Sequence, residues 1–325
     1  MNDTPVQIQF ALISHTNNGK TTLARTLVGA DVGEVRDAAH VTTLAESHPL
    51  LTSAAGDSLQ LWDTPGFGDS VRLLRRLAMS GNPIGWFLRE VFDRYRDRAF
   101  WLSQQALRTA RESADVVLYL VNSSENPKDA GYLAPEMKIL EWLGKPVVVL
   151  LHQLGPPRPA HDEQAEQARW KHHLDAYPVV RDVLALDAFA RCWVHERVFY
   201  EAVGKLVEEP KRAGYARLFA TWEANNLERF RLALRLCAEQ LAAAAQDSEP
   251  LEAERGGILR SALKAVGLAK GGEQQSQERA MGRLIERLEL SIAKSTAQLL
   301  ALHKLDASQA ARIEAAGEFG AGQLG

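Results

Sequence analysis

The chain has 325 residues, 46% hydrophobic and 24% charged, with a net charge of -3, the composition of a globular protein with room for two domains. That near-neutral balance excludes a global pull toward nucleic acid or anionic lipid, and two cysteines, Cys192 and Cys237, exclude a disulfide framework and fit a reducing cytosol. Neither a basic-then-apolar leader nor an apolar run of about eighteen residues is present, so the expected location is cytoplasmic, with a place at the membrane periphery as the alternative.

Taken in order, the predicted elements alternate. "QIQFALIS" (7–14) reads as a strand, and "TTLARTLVG" after it as a helix. "SHPLLTS" (47–53) and "SLQLWD" (58–63) are two more strands. An arginine-rich helical stretch at about 70–112 comes next. "DVVLYLVN" (115–122), "PVVVLLH" (146–152) and "VVRDVLALD" (179–187) complete the strands, with helices "APEMKILEWLG" and "DEQAEQARWKHHLDAY" between them. Continuously apolar strands are covered on both faces, and strand–helix alternation builds a mainly parallel sheet through right-handed crossovers. The predicted fold is an α/β domain with a mainly parallel sheet over 1–209 followed by an all-α domain over 210–325.

Within the all-α domain, a long helix carries Leu227, Phe230, Leu234, Cys237 and Leu241 on a single stripe. After breaks at "SEP", "GG" and "KGGEQQSQ", a seam follows through Met281, Ile285, Leu288, Ile292, Ser295, Leu299 and Leu302. Alternating spacings of four and three suit an antiparallel hairpin within one subunit or the coiled coil of a homodimer.

The stretch "SHTNNGKTT", Ser14 to Thr22, ends as a phosphate loop does. Gly19 lets the backbone wrap an anion. The Lys20 ammonium reaches β and γ oxygens, and the Thr21 hydroxyl serves magnesium. Ser14 stands where the pattern begins with glycine. Asn17, Asn18 and Thr22 complete the nucleotide-binding set. "LQLWDTPG" then places Asp63 at a strand end, where an aspartate assists magnesium, and Gly66 where an amide senses the γ-phosphate.

Together, "GKT" and "DTPG" resemble the small GTPase domain of the Era and TrmE type. The whole chain is similar to bacterial GTPases that carry a C-terminal helical domain of unknown function, which continue past the position of Gly325 into a Gly/Ala-rich segment. The resemblance implies GTP and GDP as ligands, Mg2+ as cofactor and GTP hydrolysis as activity. It places Thr42 or Thr43, in "GEVRDAAHVTTLAES", as the threonine that senses γ-phosphate and magnesium. It gives Asn17 the role of holding K+ against the phosphates, where a cation stabilises transition-state charge. Phe67 stands where Ras-like enzymes have a water-orienting glutamine.

The base-reading motif departs from the family. Asn-Lys-x-Asp is expected after "PVVVLL", yet the chain has His152, Gln153, Leu154 and Gly155. Gly155 has no carboxylate for guanine N1 and N2, so discrimination by that route is lost. Gln153 has a stem to cover the base, His152 a ring to bond backbone loops, and Asp187 a carboxylate in the place of the next base contact.

Between Arg72 and Arg111 the insert has nine arginines against Glu90, Asp93, Asp97 and Glu112. Arginines mixed with aromatics suit a protein partner, RNA phosphate as in Era-type relatives, or a solvated face on which the arginine stems snorkel. His172 and His173, adjacent on a helix, diverge by about 100° and share no metal. Cys192 and His195 with Cys237 form no zinc pattern. The functional expectation is a magnesium-dependent GTPase switch with a partner at the insert or helical domain. Its alternative is a catalytically weak nucleotide-binding adaptor, or a P-loop enzyme of relaxed base specificity, acting through the helical domain by self-association or at a membrane surface.

Overall fold

The computed structural model describes residues 4–15, 18–28, 46–64, 66–79, 93–155, 158–186, 193–250 and 272–303. Six strands form one sheet: β1 (Gln7–Ser14), β2 (Glu46–Thr52), β3 (Ser58–Asp63), β4 (Val116–Asn122), β5 (Val147–His152) and β6 (Val180–Ala185), in the order β2-β3-β1-β4-β5-β6. All neighbours are parallel except β2 and β3. The edge strand β2 carries Pro49, and its register with β3 shifts between Pro49 and Leu51, as an edge tolerates.

Helices α1 (Lys20–Val28), α2 (Ser70–Ala78), α3 (Arg98–Ser113), α4 (Leu133–Leu143), α5 (Ala160–Leu174) and α6 (Trp193–Gly204) alternate with the strands. Two layers of core result from the period-two alternation of strand side chains. Ile8, Phe10 and Leu12 of β1 face one layer with Leu23 and Phe199, whereas Ala11 and Ile13 face the other with Leu73, Met137 and Trp170. Because β1 lies between β3 and β4, the loop leaving its C-terminal end is flanked by both, the usual crevice for ligands in such sheets.

The chain divides into two compact units, Met1–Ala224 and Asn225–Gly325. The first unit extends past the composition change at 209/210. The opening turns of helix α7 (Glu209–Gln246) bury Tyr215, Leu218 and Trp222 in its core. Gly214 permits this approach, since a Cβ there would lie 2.0 Å from Val6 Cγ2.

In the second unit, the remainder of α7 and helix α8 (Gly272–Leu302) run as a hairpin. Ser291 Oγ meets Gln240 Oε1 at 2.6 Å, and Arg287 bonds Asp247 and Glu249 while Arg283 bonds Glu249. The pairing runs antiparallel, as one of the two readings of the seam requires. The apolar stripes are not closed by it: Phe230 is 48% exposed, Leu234 54% and Met281 58%. Among the described residues no helix is long and apolar enough to cross a membrane.

Candidate nucleotide-binding site

Thr64 and Phe67 tie the end of β3 to the end of β1. The Thr64 hydroxyl donates to the Leu12 carbonyl at 2.8 Å, and Phe67 N–H donates to the Ser14 carbonyl at 3.1 Å. Those bonds bring the two sequence motifs together. Thr21 Oγ1 donates to Asp63 Oδ2 at 3.1 Å, and Lys20 Nζ lies 3.4 Å from Asp63 Oδ1. Lys20 and Asp63 are both buried. Asp63 Oδ1 accepts no hydrogen bond and faces the Lys20 ammonium at 3.4 Å. A hydroxyl, a carboxylate with one oxygen to spare and a lysine, all hard donors or charges, fit a divalent ion beside an anion.

Gly19 begins α1 with φ +76, a conformation that costs residues with a Cβ about 1–2 kcal/mol. Its carbonyl accepts from Leu23 N–H at 3.0 Å, so the helix starts immediately and turns its N-terminal amides toward the loop. A Cβ at Gly19 would stand 2.6 Å from His152 Nε2. His152 is fully buried and so sits beneath the phosphate loop, while the neighbouring Gln153 is exposed in a left-handed conformation with φ 58. Ser14 is buried and its hydroxyl donates to the His15 carbonyl at 2.6 Å. Asn18 Nδ2 points to the Leu120 carbonyl of β4 at 3.5 Å. Thr22 and Gly66 are described and partly exposed. Asn17, Thr42, Thr43 and Asp187 lie outside the described residues.

Residues 9–153 match the family described as 50S ribosome-binding GTPase. This segment is similar to a GTPase domain. The match covers under half of the chain and stops at Gln153, where the base-reading motif departs. The chain is similar to the structure of Era in complex with MgGDPNP and a 16S ribosomal RNA fragment, at 19% identity over 63% of this chain and 58% of that one, with a TM-score of 0.44. It thus covers less than two thirds of that neighbour. It is also similar to an Era variant from Aquifex aeolicus bound to GDP.AlF4-, at 17% identity over 89% and 90% of the two chains, TM-score 0.44. A probable GTP-binding protein engB is similar at 14% identity over 61% and 97%, TM-score 0.35. No curated protein matches the chain.

The first unit holds a polar group that spacing alone does not bring out. His15 Nδ1 lies 2.6 Å from Glu136 Oε1, and the Tyr119 hydroxyl donates to Glu136 Oε2 at 2.6 Å. The hydrogen bond to Glu136 raises the His15 pKa, and burial raises that of Glu136. The signal was present in α4, where Glu136 stands on the face of Leu133, Met137 and Leu140. A carboxylate on an apolar stripe calls for an internal partner.

Three of the insert's arginines, Arg72, Arg76 and Arg111, are engaged inside the domain. Fully buried Asp93 accepts from Arg76 Nε at 2.9 Å, Gln104 Nε2 at 3.0 Å and Arg72 Nη2 at 3.3 Å. Arg72 also bonds Asp97 at 2.6 Å and covers the Phe100 ring at 3.8 Å, and Arg111 lies 4.3 Å over Trp142. Arg75, Arg94, Arg96 and Arg98 are exposed.

Proposed function

We propose that this chain is a molecular switch that binds GTP with magnesium and hydrolyses it to GDP and phosphate. One observation carries the reading. Buried Asp63 faces the Lys20 ammonium with one oxygen, which accepts no hydrogen bond, while its other oxygen is bonded by the hydroxyl of Thr21, the residue after Lys20. Thr21 and Asp63 would hold the ion, which supplies positive charge against the phosphate oxygens when bound. Lys20 and the amides of residues 18–22 would bind and orient the triphosphate, and Gly66 would sense its last phosphate. Family resemblance extends this to Thr42 or Thr43 as the sensing threonine, to K+ at Asn17, and to guanine as the base, with His152, Gln153 and Asp187 near it. The expected setting is cytoplasmic. The exposed arginines Arg75, Arg94, Arg96 and Arg98, with Tyr95, offer an acidic protein partner a surface beside α2.

A second reading, a nucleotide-binding adaptor with little turnover, is favoured by Phe67. Its ring is buried against Tyr119, at 6.3 Å between centroids, and offers the attacking water no polar group. Phosphate release with GTP and magnesium, compared in potassium and sodium, separates the two. Release that quickens in potassium supports the switch, and retained binding with no release in either salt supports the adaptor. Competition of ATP against GTP tests the base, and preference for ATP would retire guanine.

A further inference from the structure

The loop leaving β1 is pinned on its β3 side by Thr21, Lys20 and Asp63. On its β4 side a second set of contacts holds it. The rings of His15 and Tyr132 stack at 4.1 Å between centroids and 16° between planes. Tyr132 immediately precedes α4, and its hydroxyl donates to Glu125 Oε2 at 2.6 Å. One turn on, Glu136 engages His15 with one carboxylate oxygen and Tyr119 with the other. His15, before positions 16 and 17, thus stacks on Tyr132, and Asn18, after them, points its side chain to the Leu120 carbonyl of β4 at 3.5 Å.

This arrangement answers a question raised by Ser14. A glycine at the head of a phosphate loop supplies backbone freedom. Ser14 is not among the described residues with positive φ, so the chain leaves β1 on an ordinary backbone, and the side-chain contacts of His15 fix its exit. An aromatic stack backed by a fully buried carboxylate is stiff, because each partner is locked by others.

We infer that His15, stacked on Tyr132 and bonded to Glu136, is a positioning residue that holds the phosphate loop in its anion-binding shape. The inference rests on the reading of Lys20 as the phosphate lysine. It assigns to the start of α4 a role in nucleotide affinity although none of its residues is placed against the ligand. A loop held ready before binding spares the nucleotide the ordering cost, so loosening the clamp weakens affinity more than turnover at saturation.

The test uses the full chain with GTP and magnesium, and three variants: His15→Ala, Tyr132→Ala and Tyr132→Phe. The first two are expected to raise Kd and KM about tenfold, with kcat at saturation within about threefold of the parent. Tyr132→Phe keeps the stack and loses only the hydroxyl bond to Glu125, so its fall is about threefold or less. Amide hydrogen exchange of residues 14–22 without nucleotide reads the clamp independently of any ligand. Exchange should quicken in Tyr132→Ala and stay near the parent in Tyr132→Phe, with melting temperatures showing that both fold. Unchanged exchange in His15→Ala and Tyr132→Ala, or equal losses in the two Tyr132 variants, would overturn the clamp. If the parent binds no GTP while the exchange pattern is as expected, the phosphate-site reading fails and the clamp stands as a property of the loop.

Discussion

Asp57 and Arg217, 160 positions apart, form a two-bonded ion pair: Nε donates to Oδ2 and Nη2 to Oδ1, each at 2.7 Å. Asp57 closes the β2–β3 turn, where it also accepts from Val6 N–H at 3.1 Å and from the Ser53 hydroxyl at 2.6 Å. Arg217 belongs to α7. The pair fastens the start of that helix to the turn joining the strand before Asp63 to its edge neighbour.

Removing Arg217 leaves a fully buried carboxylate without its cation. Arg217→Ala should destabilise the first unit by about 2–3 kcal/mol, below the cost for a fully buried pair because a third of the arginine side chain is exposed. Urea unfolding followed by tryptophan fluorescence measures it, and a change under about 0.5 kcal/mol would show the pair to be idle.

The same pair sets a pH dependence. Arg217, ahead of the bonds from Ser53 and Val6, holds the Asp57 carboxyl far below its ordinary 3.8. The folded value is depressed, so the contribution is full above 3.8 and is lost as pH falls through the folded value. The stability difference between parent and Arg217→Ala should therefore be constant from about pH 7 to 5 and shrink as pH drops below about 4. A difference that grows toward low pH would contradict this assignment.

Asp93 ties α2, through Arg72 and Arg76, to α3, through Gln104. Asp93→Ala leaves two guanidinium groups facing each other and should cost about 2–3 kcal/mol. Proteolysis should then cut first between residues 66 and 113. Unaltered cleavage in that span would show that α2 is held by packing alone.

Much of this was legible in the residues. "QIQFALIS", "DVVLYLVN" and "PVVVLLH" are too apolar for anything but buried strands, and all three occupy the middle of the sheet. "GKT" and "DTPG" stand near each other in space because β1 and β3 are parallel neighbours in register, with Leu12 opposite Asp63. Side-chain pairing across long separations was not legible. His15 and Glu136 are 121 positions apart, and no local period links them. The arginines of the insert read first as a solvated face, then as a surface for a protein partner or RNA, and Asp93, one acid among them, emerged as buried. The seam in α8 promised an apolar interface, and its residues remain half-exposed because the hairpin described is joined largely by polar bonds.

Gly19 offers a sharper test of the loop. Gly19→Ala meets both a left-handed φ and the His152 ring, so nucleotide affinity should fall at least about tenfold and stability by about 1–2 kcal/mol. The double variant Gly19→Ala, His152→Ala relieves the collision and leaves the backbone strain, so some of the affinity should return. No recovery would mean that His152 yields easily.

The central claim is that Lys20, Thr21 and Asp63 form a cradle for a triphosphate and a divalent ion. Isothermal titration of GTP into the parent and into Lys20→Ala, each with magnesium and with chelator, tests it most directly. The account predicts binding by the parent that weakens at least about tenfold in chelator, and loss of measurable binding in Lys20→Ala. Equal uptake by parent and variant, indifferent to magnesium, would contradict it.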